Sequence, residues 1–261
     1  MIFTVYRLEL FKMLKRPAAW VTYLSFLTIT ILLLVAQRYG APSHGHGFPD
    51  TLPALLTGDV SIASTFGVVL LVLMTCGEFD WKTSRQNIID GLSKRQWWVG
   101  KALLIPTIAI ALYLTRFAAG GTLALIATST SHAQPYDPTA TYVLAGCGVL
   151  LGMLCYASIA LLICMTVRSA GPAVGAALVY QIFDNIAALI LRTHHLGDIA
   201  QWLPLQVQNA LVTYNQYQPH GGSARNPLEG HWHTELLFLA AAAWMAVMLC
   251  VSYRVYMKRD L

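Results

Sequence analysis

The chain has 261 residues, of which 56% are hydrophobic and only 11% are charged, and it carries a formal net charge of +5. This composition is typical of an integral membrane protein and excludes an ordinary soluble globular domain. The positive balance does not predict nucleic-acid binding, because the apolar stretches leave no room for a soluble domain with a clustered basic surface.

Six apolar stretches follow one another along the chain. A membrane-spanning helix needs about 20 mostly apolar residues, and each stretch is close to that length. The predicted fold is therefore an all-α membrane protein with six transmembrane helices in a single domain that covers residues 1–261. The predicted spans are 18–36, 60–77, 102–127, 141–167, 170–191 and 235–253.

Lysine and arginine are concentrated in every second connection between these stretches. Thirteen of the 17 basic residues lie in the N-terminal segment, the second and fourth connections and the C-terminal segment; three lie in the alternate connections, and Arg116 lies within a span. Positive charge beside membrane helices marks the cytoplasmic side. We therefore expect both termini in the cytoplasm, the segment 192–234 outside, and a multi-pass protein of the plasma (inner) membrane.

The N-terminal segment, residues 1–17, mixes apolar and charged residues and ends at Pro17. Its apolar positions suit one face of a helix, so we expect an amphipathic helix lying on the inner surface of the bilayer. The alternative is a cytoplasmic extension of the first transmembrane helix.

The second connection is the longest charged cytoplasmic segment, and its helix boundaries are readable. Thr83 or Ser84 is expected to cap a short helix that runs to Ile89. Gly91 is expected to end that helix, and Ser93 is expected to cap the next one, which continues into the third span.

The segment before the last span divides into two halves. The first half is amphipathic and is interrupted by Pro204, which fits two short helices that dip back into the outer leaflet. The second half is rich in proline and glycine and is expected to be a loop.

Arg116 and Asp184 are the two charged residues in the interior of the predicted spans, away from their ends. With a rise of 1.5 Å per residue, each lies roughly 21 Å from the inner end of its helix, so we expect them to pair. Gln181 and Asn185 lie beside Asp184. The four residues form either a polar patch in a translocation path or a structural salt bridge between two helices.

Motifs that bind ATP or carry out hydrolysis are absent from the sequence, which contains no G-x-x-x-x-G-K-[ST], H-E-x-x-H or G-x-S-x-G. We therefore expect no enzyme activity and no catalytic residue in this chain. All eight histidines fall outside the spans. Close pairs among them are candidate metal ligands, although exclusion of histidine from lipid explains the same distribution. The candidates are His44, His46, His231 and His233.

The order of these features resembles the permease subunits of the ABC type-2 exporter family. The cytoplasmic loop of that family commonly reads E-x-x-x-x-T, then S-[KR]-R, then K. The family usually has glycine before the threonine, whereas this chain has Lys82, and Asp80 is also less typical. The matching features are Lys15-Arg16-Pro17 at the end of the N-terminal helix, Glu78, Thr83, Ser93-Lys94-Arg95 and Lys101.

The resemblance implies a division of labour between subunits. Two permease chains, identical or homologous, would pair in the bilayer, and two ATPase subunits would dock below them and bind ATP and Mg²⁺. Residues 78–101 would be the coupling loop, and the second and fifth spans would line a central path for a hydrophobic or amphiphilic substrate. The implied coupling residues are Glu78, Asp80, Thr83, Arg85, Asp90, Ser93, Lys94 and Arg95.

Two other functional classes fit parts of the sequence. A membrane enzyme that acts on lipid would need a polar cluster near one interface, for which only the outer histidines are candidates. A non-transport scaffold or a metal-responsive sensor with a histidine-rich outer face needs no ATPase partner. An ATPase that co-purifies with the chain would distinguish the exporter from both.

Overall fold

The computed structural model describes the chain in six stretches, residues 2–40, 60–127, 140–194, 196–200, 202–207 and 234–259. Within them all regular structure is helical. The helices are α1 (Ile2–Lys15), α2 (Pro17–Gly40), α3 (Val60–Asp80), α4 (Thr83–Ile89), α5 (Lys94–Ala127), α6 (Ala140–Val167), α7 (Ala170–Thr193), α8 (Gly197–Ala200) and α9 (Thr234–Lys258).

Six of these helices, namely α2, α3, α5, α6, α7 and α9, are long and apolar enough to cross a membrane. The predicted all-α fold with six spans is therefore confirmed. The third of these helices, α5, begins at Lys94, whereas the predicted span is 102–127. It continues without a break for 34 residues. At 1.5 Å per residue α5 is about 51 Å long, which exceeds a hydrocarbon core of about 30 Å.

The second and fourth spans, α3 and α6, form the centre of the bundle. Their most apolar windows are 67% buried, whereas the other four spans are buried over 17% to 33% of theirs. α3 packs against α2, α5, α6 and α7, and α6 also packs against α9. The peripheral helices thus keep an apolar face outward, which a bilayer solvates without penalty.

The N-terminal helix α1 is separate from the first span. Arg16 divides the two helices, and Pro17 is the first residue of α2, where a missing N–H is tolerated. α1 packs against α5, where Val5 is buried and the hydroxyl of Tyr6 lies 2.6 Å from that of Thr107. Its opposite face exposes Ile2, Phe3, Leu8, Phe11 and Leu14.

The start of the short helix α4 differs from the prediction. Neither Thr83 nor Ser84 caps it: within the described residues Lys82 occupies the N-cap position with a left-handed φ of 56°, and no side chain bonds there. The Thr83 hydroxyl instead donates to the carbonyl of Glu78 at 3.3 Å, and Ser84 is buried. Thr83 and Ser84 are therefore the first two residues of α4 itself, one position too late to cap it.

The end of α4 and the start of α5 confirm the predicted roles of Gly91 and Ser93. Gly91 has a φ of 103°, and the N–H groups of Gly91 and Leu92 bond back to Ile88 and Asn87, which closes the helix in a Schellman motif. The Ser93 hydroxyl accepts from the N–H of Gln96, whose side chain accepts from the N–H of Ser93. This reciprocal capping box begins α5.

Two short helical pieces lie beyond α7, at the end of the bundle opposite α1 and α4. One is α8, and the other is a helical turn at residues 204–207 that begins at Pro204. The turn is attached to α9, because Trp244 donates through its indole N–H to the carbonyl of Trp202 at 2.9 Å and Val207 packs against Leu237. Pro204 therefore starts a helical piece as well as interrupting the segment.

Candidate functional site

One end of the bundle, called here the charged end, carries α1, α4, the last residues of α9 and a cluster of five ionisable side chains, of which three are buried and two are partly exposed. We call these residues the ion cluster. Lys101 contacts Glu9 and lies 2.9 Å from Glu78, and Lys12 lies 2.9 Å from Glu9 and 3.0 Å from Glu78. The cluster consists of Glu9, Lys12, Arg16, Glu78 and Lys101.

The ion cluster joins three helices in a protein interior. Lys101 on α5 is 0% exposed, Glu78 on α3 is 1% exposed and Glu9 on α1 is 4% exposed. The indole N–H of Trp97 also donates to Glu78 Oε2 at 2.8 Å. Buried charges of this kind are tolerated only when paired, so each helix depends on the other two for its partners.

Lys12 remains charged in this environment. Burial lowers the pKa of Lys12, but the carboxylates of Glu78 and Glu9 raise it by more, so the net direction is upward from the usual value. Its ammonium group therefore stays charged at neutral pH and links Glu9 on α1 to Glu78 on α3.

Gly100 allows α1 to approach α5 closely. A Cβ atom at this position would lie 2.9 Å from Val5 Cγ1 and 3.4 Å from Glu9 Cγ. Glu9, which packs against Gly100, also contacts the next residue of α5, Lys101. The absence of a side chain at Gly100 therefore allows this ion pair to form.

The loop of residues 78–101 is also attached to α7 and to the end of α9. Asp80 Oδ2 accepts from the N–H of Ala170 at 2.9 Å and so satisfies the first turn of α7. Lys94 donates to the carbonyl of Arg259 at 3.1 Å. Trp97 stacks on Tyr256 with ring centroids 4.8 Å apart. Contacts to α1, α7 and α9 therefore fix both ends of the loop.

The middle of the same loop presents an exposed stripe. Trp81, Arg85 and Ile89 recur every four residues, and Trp81 and Ile89 are 67% and 69% exposed. Arg85 and Arg95 are exposed as well. Two large apolar side chains beside two exposed arginines, on a loop whose two ends are fixed by contacts, form a surface suited to a protein partner.

The predicted coupling residues thus fall into two groups. Glu78 is buried in the ion cluster, while Asp80, Thr83, Ser93 and Lys94 bond to the protein's own backbone. Arg85 and Arg95 face outward, and Asp90 accepts from the side chain of Gln86 on the same short helix at 2.9 Å. One group therefore contacts the protein itself, and the other is exposed.

A second polar cluster lies at the opposite end, and we call it the amide cluster. Gln206 donates through Nε2 to Asp184 Oδ2 at 3.2 Å and to Asn185 Oδ1 at 3.1 Å. Its Oε1 accepts from Arg192 at 3.1 Å. Asp184 and Gln206 are 2% and 4% exposed, so the turn at residues 204–207 covers the carboxylate. The amide cluster consists of Asp184, Asn185, Arg192 and Gln206.

The predicted pairing of Asp184 with Arg116 is wrong. Among the ion pairs between described residues, none joins the two side chains; Arg116 lines a small cavity between α2, α3 and α5 with Thr30 and Ile62. Equal depth fixes position along the helix axes but not the faces that meet. α5 packs against α1, α2, α3 and α6, whereas α7 packs against α3, α6 and α8.

The remaining candidates of the predicted path lie with Asp184 on α7. Gln181 accepts from the hydroxyl of Thr65 on α3 at 3.4 Å, and Asn185 donates to the carbonyl of Gln181. The four histidine candidates for metal binding, His44, His46, His231 and His233, lie outside the described residues.

Sequence reasoning missed two of the residues that matter most here, Glu9 and Gln206. Glu9 lies four residues after Val5 on α1, so it shares the face that packs on α5, and an acid on the apolar side of an amphipathic helix is a detectable signal. Gln206 gives no comparable signal, because a glutamine in an extramembrane segment is ordinary.

A comparison of the chain with models of known protein families finds no match, and a comparison with curated proteins finds none either.

Proposed function

We propose that the chain is the transmembrane subunit of an ATP-driven exporter of the ABC type-2 kind, with residues 78–101 as the coupling loop. The observation that carries the proposal is the contrast within this loop. Both of its ends are fixed by polar contacts, the buried pair of Glu78 with Lys101 and the bond of Asp80 to Ala170, while its middle exposes Trp81, Arg85 and Ile89. The proposal places the charged end of the bundle in the cytoplasm, as the distribution of basic residues predicts.

The mechanism follows from the rigidity of the loop. A force applied to α4 would reach α3 and α5 directly, since the loop continues into both helices. It would also reach α1 through the ion cluster and α7 through the Asp80 contact with Ala170. A partner that closes on ATP could therefore tilt several spans together. The chain itself has no ATP-binding motif, so ATP and Mg²⁺ would be held by the partner.

Two copies of the chain, or this chain and a homologous one, would form the complete pore. The apolar outward face of α7, which exposes Val179, Ile182 and Phe183, is available to lipid or to a second chain. The cargo class that fits such apolar spans is hydrophobic or amphiphilic.

The test is a charge reversal on the exposed stripe. We expect the chain, tagged and purified from its native membrane, to carry a P-loop ATPase with ATP hydrolysis that vanadate inhibits. Arg85→Glu should lower the amount of bound ATPase several-fold. It replaces a positive charge on the docking surface by a negative one, which would repel the partner groups that Arg85 attracts. Arg254→Glu, at an exposed position on α9, should leave it unchanged. Purification without any associated ATPase, or equal loss in both variants, would overturn the proposal.

The orientation is tested separately by cysteine labelling. In a background without the exposed Cys147 and Cys250, cysteines introduced at Ser43, Ser131 and Ser223 should react with an impermeant maleimide from outside. A cysteine at Arg85 should react only after the membrane is permeabilised. The reverse pattern would place the charged end outside.

A further inference from the structure

Asp184 is a buried carboxylate whose hydrogen-bond donors are all neutral. Its donors are Nε2 of Gln206, the backbone at Leu205 and the side chain of Tyr180. Among the described residues no lysine or arginine lies within ion-pair distance of it. A carboxylate in such a place usually marks a functional site, because it is expensive within a membrane unless a counter-charge arrives.

We propose that Asp184 recognises a protonated amine on an amphiphilic cargo, and that the side-chain amide of Gln206 occupies the same position while the site is empty. This inference rests on the proposed exporter function and names the class of its substrate. An ammonium group donates the hydrogen bond that Gln206 Nε2 now donates, and it adds a full positive charge. Charge-assisted hydrogen bonds are roughly twice as strong as neutral ones, so the amine displaces the amide.

The arrangement of Gln206 explains why Arg192 does not already neutralise Asp184. The two charged residues are eight positions apart on α7, which is about 12 Å along the helix. Gln206 lies between them, with its N–H on the carboxylate and its oxygen accepting from Arg192. The amide therefore bridges the two charges while keeping the carboxylate available for exchange.

The surroundings select an apolar body for the cargo. Apart from Asp184, the fully buried positions of α7 are alanines, including Ala177 and Ala188, and the one large neighbour on the same helix is Tyr180, which donates to the carboxylate. The neighbouring exposed positions are Ile182, Phe183 and Ile186, with the amide of Asn185 at the border. A cargo with one primary amine on a hydrocarbon or aromatic group is therefore complementary to a surface that is apolar except for the single carboxylate of Asp184.

The displacement needs no unfolding of the outer segment. The turn at residues 204–207 is held on its other side by the packing of Val207 and by the bond from Trp244 to the carbonyl of Trp202. Withdrawal of Gln206 from α7 breaks its polar contacts and the packing of Leu205 on that side, while the attachment to α9 remains, so the turn moves as a flap attached to α9.

The test compares two probes that differ in charge but hardly in shape, 4-phenylbutylamine and 4-phenylbutan-1-ol. Binding to the purified chain, with its co-purifying subunits, in phosphatidylcholine nanodiscs is measured by equilibrium dialysis, and empty nanodiscs give the background. We expect the amine to bind about tenfold more tightly than the alcohol, which corresponds to the gain from a charged over a neutral hydrogen bond. Asp184→Asn should abolish the preference, and Asp184→Glu should keep it.

Two further variants make the result specific. Gln206→Ala removes the competing amide and should tighten amine binding, whereas Gln86→Ala, which removes an exposed glutamine amide at the charged end, should leave amine binding and the preference unchanged. Equal binding of the two probes to the unaltered chain, or a preference that survives in Asp184→Asn, would overturn the inference.

The outcomes also separate this inference from the proposed function. An Asp184-dependent amine preference without any associated ATPase would keep the binding site and reject the exporter. An Arg85-dependent ATPase without amine preference would keep the exporter and reject this cargo class.

Discussion

The two polar clusters at opposite ends of the bundle treat buried charge differently. In the ion cluster, two carboxylates lie against three cations, supplied by α1, α3, α5 and the residue between α1 and α2, in contacts no longer than 3.7 Å. In the amide cluster, a single carboxylate is covered by a neutral glutamine at 3.2 Å. The first arrangement can only be broken at high cost, whereas the second can be exchanged for a better donor.

The difference assigns distinct tasks to the two ends. Helices tied by mutual ion pairs move together, which suits the end at which the coupling loop would receive force. A tethered turn that covers a charge with one amide can open and close. This suits the end at which the cargo of the proposed exporter would leave. Four substitutions test this comparison, and the largest effect is expected at the ion cluster.

Lys101→Met should be the most damaging change. It removes the one fully buried cation of the cluster, which contacts both Glu9 and Glu78, and leaves these carboxylates with the partly exposed Lys12 and Arg16 alone, a loss of about 3–5 kcal/mol for a broken buried pair. The measurement is the thermal midpoint of the purified chain in detergent. Lys258→Met, at an exposed position on α9, is the control and should behave like the unaltered chain. Equal midpoints for both variants would mean that the cluster does not hold the charged end together.

Gly100→Ala tests the close approach of α1 to α5 and should destabilise by about 1–3 kcal/mol through overpacking against Val5. Gly121→Ala is a matched control on the same helix, since a Cβ there meets nothing within 4 Å. The control should be neutral or slightly stabilising because alanine favours helix over glycine. If both variants unfold alike, the helix and not the contact with α1 is responsible.

Asp80→Ala asks whether the loop is fastened to α7. Losing the acceptor for the N–H of Ala170 should cost about 1 kcal/mol, as for other helix N-terminal caps. Asp90→Ala removes an exposed acid whose bond stays within α4, and it should shift the thermal midpoint little. A larger shift for Asp90 than for Asp80 would contradict the attachment.

Asp184→Asn should have the smallest effect on folding, below about 1 kcal/mol. It loses a hydrogen bond to a charged acceptor but also removes the penalty of a buried charge, and the two terms oppose each other. Folding is measured by the same thermal midpoint and function by ATP-dependent export in vesicles, which should fall sharply. A variant that unfolds like Lys101→Met would show that Asp184 has a structural role.

The features that could be predicted from the sequence are those set by local rules. Six spans follow from the lengths of the apolar stretches, and Ser93 and Gly91 follow from the chemistry of helix ends. The cap of α4 was missed because the chain reverses at Lys82 with a left-handed backbone, which is rare for a residue other than glycine.

The candidate site was less predictable because its contacts join distant parts of the chain. Glu9 and Lys101 are 92 residues apart, and the sequence around either residue does not indicate that the other is its partner. The Arg116–Asp184 pairing failed for a related reason, since depth in a helix can be counted along the chain but the direction of a side chain around the helix depends on its neighbours. Composition also indicates that α7 is apolar without indicating that Gln206 covers its carboxylate.

The separation of Glu9 from Lys101 has a consequence for how the protein is made. Glu9 leaves the ribosome long before Lys101 is translated, so α1 cannot settle on its final partners until the third span has been synthesised. During that interval the acid is restricted to its own helix, where Lys12 lies three positions away and already pairs with it in the finished protein. Lys12 is thus a counter-ion available to Glu9 before Lys101 is synthesised, and Lys101 adds the contact that joins Glu9 to α5.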